Sequence, residues 1–218
     1  MALAIFDLDN TLIGGDSDHA WGEFLVEQGI VDGEHYRRAN DKFYEDYKQG
    51  CLDIYEYLEF ALAPLAQHDP EQLIAWRKAF FSQKIKPLML PKAEALVDTH
   101  REKGDTLLII TATNRFVTEP IAEALNIPHL IATEPEMQGQ RYTGGVSGTP
   151  SFQQGKIKRL EEWLEGMNSS MDDAYFYSDS HNDLPLLERV HNPIGVDPDD
   201  QLRAICETNN WPIISLRD

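Results

Sequence analysis

Residues 4–12 read AIFDLDNTL. Together with Leu3 they begin as a short apolar run, LAIF (3–6), of strand length rather than helix length. The run ends in two aspartates with one residue between them, Asp7 and Asp9, followed by Thr11. Five further runs have the same character: TLLIITA (106–112), HLIAT (129–133), AYFYS (174–178), PIGV (193–196) and PIISL (212–216). Continuous apolar runs of this length suit strands buried on both faces, which is the condition of a parallel sheet.

Amphipathic stretches separate several of these runs. PKAEALVDTHREKG (91–104) opens on Pro and closes on Gly, the residues favoured at a helix start and just past its end. RFVTEPIAEALNI (115–127) carries Phe116, Ile121 and Leu125 at helical spacing, although Pro120 is expected to kink or delay the helix. GKIKRLEEWLEG (155–166) places Ile157, Leu160 and Leu164 on one face, and DDQLRAICETNN (199–210) does so with Leu202 and Ile205. Strands alternating with helices predict a doubly wound, parallel-sheet α/β core of Rossmann-like type.

One long segment breaks the alternation. From about Gly15 to Leu88 there is no strand-like run, only helical patterns near 18–29, 33–49, 52–63 and 70–83. This predicts an all-helical cap, residues 15–88, inserted after the first strand of a core made of 1–14 and 89–218. A second insertion, EMQGQRYTGGVSG (136–148), is rich in Gly and Thr and reads as a short β-hairpin or flap.

Composition narrows the partners. Asp and Glu total 37 against 19 Lys and Arg, a formal net charge of −18. Such a surface repels nucleic acid and anionic membranes and attracts cations. No apolar run approaches the roughly 18 residues of a membrane helix, and the two aspartates interrupt any secretory signal at the N-terminus. Cys51 and Cys206 fit neither a disulfide framework nor a metal motif, so a reducing, cytoplasmic location is expected. Nothing in the sequence points to a protein partner.

In an open parallel sheet, ligands bind beyond the carboxyl ends of the strands. Those ends here carry Asp7, Asp9 and Thr11, then Thr111, Ala112, Thr113 and Asn114, then Asp179, Asn182 and Asp183, with Lys156 at a helix start. Several carboxylates in one crevice repel each other unless a hard cation joins them, and oxygen ligands suit Mg2+. Hydroxyls, a lysine and free backbone amides are anion ligands. A site holding Mg2+ and an anion together is a phosphate site, where one carboxylate can attack phosphorus and another can move the proton. A calcium loop is excluded for DLDNTLIGGDSD, because Leu12 stands where such a loop requires Gly and a strand precedes it.

DLDNT (7–11), the hydroxyl of IITAT (109–113), the lysine of GKIKRL (155–160) and YSDSHNDLPLL (177–187) resemble the four ordered motifs of haloacid dehalogenase (HAD) superfamily phosphatases. The resemblance spans about residues 3–197, and the helical insertion is similar to the cap of the phosphoserine phosphatase branch, which includes histidinol-phosphatases. It implies Asp7 as nucleophile and Asp9 as general acid/base whose carbonyl also reaches the metal. It implies Thr111, Ala112 and Lys156 on the phosphoryl oxygens, Asp179 on Mg2+, Asp183 behind it, and Asn182 lining the phosphate or metal site. Lys158 competes with Lys156 for its role; Lys156 is preferred because it opens the helix. Individually these residues have simpler readings, as strand-end, capping or solvated groups, and only the four in order carry the inference.

The leaving group is expected to be read by GGDSDHAW (14–21). Asp16 stands where phosphoserine phosphatases carry a Glu for the substrate ammonium, and Asp16, Asp18 and His19 could form an acidic pocket for an amine. Asp16 or Ser17 could equally cap the next helix. Ala61 falls where those enzymes have an Arg for the substrate carboxylate, and no Arg occurs between Arg38 and Arg77. The expected substrate is therefore a small amine-bearing phosphomonoester, histidinol phosphate first, with phosphoserine, phosphoethanolamine or a broad range as alternatives. Trp21, Phe43, Tyr44 and Tyr47 could stack on an imidazole or simply pack. Phosphoryl transfer between two substrates and non-catalytic phosphate binding are the competing functions. Retention of both Asp7 and Asp9 argues against the latter.

Overall fold

The computed structural model describes residues 2–167 and 170–217. In chain order the strands are β1 (Leu3–Phe6), β2 (Thr106–Asn114), β3 (His129–Gln138), β4 (Arg141–Ser147), β5 (Tyr175–Ser178), β6 (Asn192–Val196) and β7 (Ile213–Ile214). They form one sheet in the order β4-β3-β2-β1-β5-β6-β7, parallel except for the β3–β4 pair. The chain winds outward from β1 through β2 and β3, then restarts beside β1 at β5. The carboxyl end of β1 is therefore the point where the winding reverses, and a crevice opens there.

All six apolar runs become strands. They are continuous because both faces are covered. Leu3, Ile5, Leu108, Ile110 and Phe176 pack in one cluster with Ile157, Leu160 and Leu164, while Ala4, Phe6, Leu107, Ile109 and Tyr177 pack in the other. The Gly-rich stretch does form a hairpin, but as an extension of β3, whose second half leaves the parallel sheet to pair with β4.

Between β1 and the next strand lie α1 (Ser17–Glu27), α2 (Gly33–Lys48), α3 (Ile54–Gln67) and α4 (Pro70–Phe80), then α5 (Pro91–Glu102). A widened turn (Phe81–Ile85) and a tight one (Lys86–Leu88) continue α4. The two connections between helices and sheet run side by side: Ile13 bridges Met89, and the Gly14 N–H donates to the Leu88 carbonyl at 2.7 Å. Trp21 and Phe24 pack against Phe80, and Trp21 also meets Phe116. The helical segment thus shares its apolar cluster with the sheet layer, and Trp21 is core.

The remaining helices are α6 (Arg115–Ala124), α7 (Gln154–Met167), α8 (Leu184–Leu187) and α9 (Asp200–Asn209). Pro120 does not delay α6, which starts at Arg115 with the Asn114 side chain accepting from the Val117 N–H. The carbonyl that Pro120 cannot reach, four residues back at Phe116, accepts instead from the Arg77 guanidinium at 3.2 Å.

Candidate active site

Asp7 follows β1 directly, and its N–H donates to the Tyr177 carbonyl of β5 at 2.9 Å, so the sheet fixes its backbone. Its side chain is buried and accepts from the Lys156 ammonium at 2.7 Å. Lys156 sits in the first turn of α7 and also reaches Asp183, at 2.6 Å to the nearer oxygen. The turn before it is tight: a Cβ on Gly155 would lie 2.0 Å from the Pro150 carbonyl oxygen, so only glycine fits. Lys158 points away and donates to Thr149 at the surface. Asp183 also accepts from the Ser178 hydroxyl at 2.7 Å. The Thr11 hydroxyl donates to Asp179 at 3.1 Å and accepts from the Asp179 N–H, tying the loop after β1 to the loop after β5.

Asp9 accepts from the Thr113 hydroxyl at 2.8 Å, from the Ser17 N–H at 2.6 Å, and from Thr111 at 3.5 Å. Asp7, Asp9, Thr111, Ala112 and Thr113 line one cavity with Asp16, Asp18 and His19. The far wall is Phe43, Tyr44, Tyr47, Ile54 and Tyr57 from α2 and α3. The space between these walls is partly open to solvent.

The electrostatics are one-sided. Burial pushes the Asp7 carboxyl up to about 7 against the pull of Lys156, and burial with the charge of Asp16 does the same to Asp9. Asp18 rises to about 7 and Asp16 to about 6, again by burial. Asp179 is held well above the usual carboxylate range by burial and by Asp7 and Asp183. Lys156 is the one buried ammonium among the described residues facing these acids. Six carboxyl groups against one buried ammonium leave an excess of negative charge that a bound cation would offset.

The family model for haloacid dehalogenase-like hydrolases matches residues 4–188. The chain belongs to the haloacid dehalogenase-like hydrolases. It is 43% identical over 219 residues to a histidinol-phosphatase of Neisseria meningitidis serogroup C (strain 8013), covering 99% of both chains. A solved structure of a protein of unknown function from Bordetella pertussis Tohama I superposes with a TM-score of 0.93 at 45% identity, covering 99% of this chain and 98% of that one. A phosphoserine phosphatase solved as an analogue of its phospho-aspartyl intermediate superposes with a TM-score of 0.72 at 16% identity, covering 99% of this chain and 93% of that one, a likeness of fold. This hydrolase is an enzyme of the phosphatase class.

Asp16 and His19 line the cavity and also hold structural bonds in the hydrolase, whereas Asn182 lies outside the lining. Asp16 caps α1, its Oδ1 accepting from the Asp18 and His19 N–H groups at 3.0 and 2.8 Å. The residue still lines the cavity. His19 pairs with Asp41 at 2.9 Å and stacks on Tyr44. Asn182 turns from the cavity: its amide donates to the Tyr47 carbonyl at 2.9 Å and accepts from Gln153 at 3.1 Å. Sequence reading passed over Thr113 as a partner of Asp9, and Tyr57, whose hydroxyl bonds Asp18. The second hydroxyl of IITAT was the available signal for Thr113; nothing local marks Tyr57.

Proposed function

We propose that this phosphatase is Mg2+-dependent, works through an aspartyl-phosphate on Asp7, and acts on a small amine-bearing phosphomonoester, with histidinol phosphate first. The observation that carries the reading is a buried carboxyl at the end of the central strand, held by Lys156, opening on the same cavity as Asp9. An Asp7 oxygen attacks phosphorus while the ester P–O bond breaks. Asp9, its carboxyl raised by burial, is suited to give a proton to the leaving alkoxide and later take one back from water. That water attacks the phosphorus, freeing inorganic phosphate and Asp7. Thr111, the backbone around Ala112 and Lys156 orient the phosphoryl oxygens.

Asp7, Asp179 and the Asp9 carbonyl would hold the metal, with Asp183 behind them fixed by Lys156 and Ser178. Bound there, Mg2+ would polarise the phosphoryl group and offset the gathered negative charge. Among the described residues no three His, Cys, Asp or Glu side chains form a self-sufficient metal cluster. That accords with Mg2+, which takes one or two carboxylates with waters and substrate phosphate.

The cavity lining contains no Lys or Arg among the described residues, and Ala61 is buried in α3. A substrate carboxylate would stay unpaired there, which disfavours phosphoserine. Asp16, Asp18 and the aromatic wall suit an ammonium or imidazolium, and the Neisseria histidinol-phosphatase supports the same choice. In this reading residues 15–88 act as the cap that supplies the leaving-group wall. No helix among the described residues is long and apolar enough to cross a membrane, and the free Cys51 and Cys206 suit a cytoplasmic enzyme.

The test is phosphate release from histidinol phosphate, phosphoserine and phosphoethanolamine, with Mg2+ and with EDTA. The expected result is the highest kcat/KM for histidinol phosphate, loss of turnover in EDTA, and no turnover in Asp7→Asn. Phosphoserine hydrolysed equally well would overturn the substrate. Phosphate appearing on an added acceptor alcohol would make the enzyme a phosphotransferase, and no turnover of any ester would leave a phosphate-binding protein.

A further inference from the structure

β2 and β3 run in parallel register to the pair Ile110–Ile131, and the register resumes at Asn114–Thr133. Three residues of β2, Thr111 to Thr113, therefore stand opposite one residue of β3. A bulge of this kind interrupts the ladder and re-aims the residues on it. These three line the cavity. A bulge also frees backbone groups, and one of them, the Ala112 carbonyl, is taken by a side chain: the Thr133 hydroxyl donates to it at 2.7 Å.

The proton positions around Thr133 follow from its partners. The Ser151 N–H donates to the Thr133 oxygen at 3.1 Å, so Thr133 must turn its own proton to Ala112. That fixes the peptide between Ala112 and Thr113, whose N–H donates to the Thr111 oxygen at 3.2 Å. With its oxygen engaged from behind, Thr111 has its proton free to donate forward. Its one protein acceptor among the described residues is Asp9, at a long 3.5 Å. Thr133 and Ser151 are fully buried and the bond between them is shielded from water, while the Ala112 carbonyl lies at the half-buried edge of the cavity. Ser151 lies in the turn that mounts Lys156. Arg159, one helical turn beyond Lys156, donates to the Ala132 carbonyl at 2.7 Å and so holds the end of β3 from the other side.

We infer that Thr133, which touches neither substrate nor metal, is a positioning residue for phosphate: it sets the Thr111 hydroxyl as a forward donor and locks it in register with Lys156. The inference rests on the reading of this strand end as the phosphate site. Thr133→Val keeps the shape and removes the hydroxyl, leaving the Ala112 carbonyl and Ser151 N–H unpaired. Thr133→Ser keeps the hydroxyl.

The experiment is binding of inorganic phosphate and orthovanadate by calorimetry with Mg2+ present, with kcat, KM and Tm measured alongside and Thr111→Val as reference. Thr133→Val is expected to weaken phosphate binding about 5- to 50-fold, the effect of stranding buried polar groups. Thr133→Ser should stay within about twofold, because the bond persists. A residue that only stabilised the fold would lower Tm and leave phosphate affinity unchanged in the folded protein. If Thr133→Val does not fold, Thr133→Cys, nearly isosteric with a weak donor, is judged by the same criterion. Phosphate affinity intact in Thr133→Val while Thr111→Val loses it would overturn the positioning role alone. Affinity intact in both would overturn the phosphate site itself.

Discussion

Replacing Asp18 with Asn should stabilise the free enzyme at neutral and alkaline pH while impairing its recognition of amines. Asp18 is 8% exposed, near the start of α1. The Tyr57 hydroxyl bonds it and the Asn114 amide donates at 3.4 Å, but neither carries a full positive charge. The rise of its carboxyl from 3.8 to about 7, at about 1.4 kcal/mol for each factor of ten, corresponds to a charge-burial cost of about 4 kcal/mol. The unfolded chain releases this proton near 3.8 and the folded chain near 7. Between those values folding takes up a proton, so stability falls as pH rises. Below about 3.8 the cost is absent, and above about 7 it is complete.

Asn has nearly the same shape and no charge, so the variant lacks this slope. Urea denaturation in EDTA, at pH steps from 5 to 9, should show Asp18→Asn gaining on the parent up to about pH 7 and holding a constant lead beyond. A lead of about 2–4 kcal/mol is expected, relaxation of the site lowering the full figure. KM for an amine-bearing ester should rise about tenfold, as for loss of one charge-assisted contact, with little change for phenyl phosphate. A variant less stable than the parent at pH 8, or a difference flat across the range, would refute the assignment of a buried, uncompensated charge.

Lys156→Met should lower stability by about 3–5 kcal/mol in urea melts, because Asp7 and Asp183 lose their shared buried partner, and turnover should vanish with it. Gly155→Ala must move the Pro150–Gly155 turn to relieve the 2.0 Å contact; a loss of about 1–3 kcal/mol and a raised KM for every ester are expected, and unchanged kinetics would show that this turn does not mount Lys156. Arg77→Met should destabilise by about 1 kcal/mol by stranding the Phe116 carbonyl. In a Pro120→Ala background that loss should shrink, because the restored N–H can take the same carbonyl, and a double-mutant cycle measures the difference.

The sequence displayed the fold well because the sheet is buried on both faces, which turns each strand into a short continuous apolar run. It displayed the chemistry at the strand ends for a related reason: a polar residue directly after such a run has few places to go except the crevice. Asp7 follows β1 directly into the cavity and Asp179 follows β5 directly to meet Thr11, and Lys156 separates from Lys158 by its place at the helix start. Residues inside the runs carried no such mark. Thr133 closes HLIAT and reads as an ordinary β-former, because apolar patterning does not say which hydroxyl meets which carbonyl. The bulge that makes Thr133 matter is a register shift between two strands, a relation that neither sequence run contains.

The helical segment was legible as helix and much less as a site. Trp21, Phe43, Tyr44 and Tyr47 were equivalent in sequence, aromatic residues at helical spacing, and the structure divides them. Trp21 packs against Phe24, Phe80 and Phe116, while the other three face the cavity. The division depends on how α1 and α2 meet the sheet, a long-range property. Asp16 makes the point most directly, since the capping and amine-binding readings were rivals in the sequence. One carboxylate oxygen caps α1, and the residue also lines the cavity. Backbone N–H groups cap without neutralising the carboxylate, so a single residue can serve both the helix and the substrate ammonium. In Asp16→Ser the cap would persist and the charge would go. That variant should keep the parent's Tm and lose discrimination between amine-bearing and plain esters; loss of Tm with discrimination intact would reduce Asp16 to a cap.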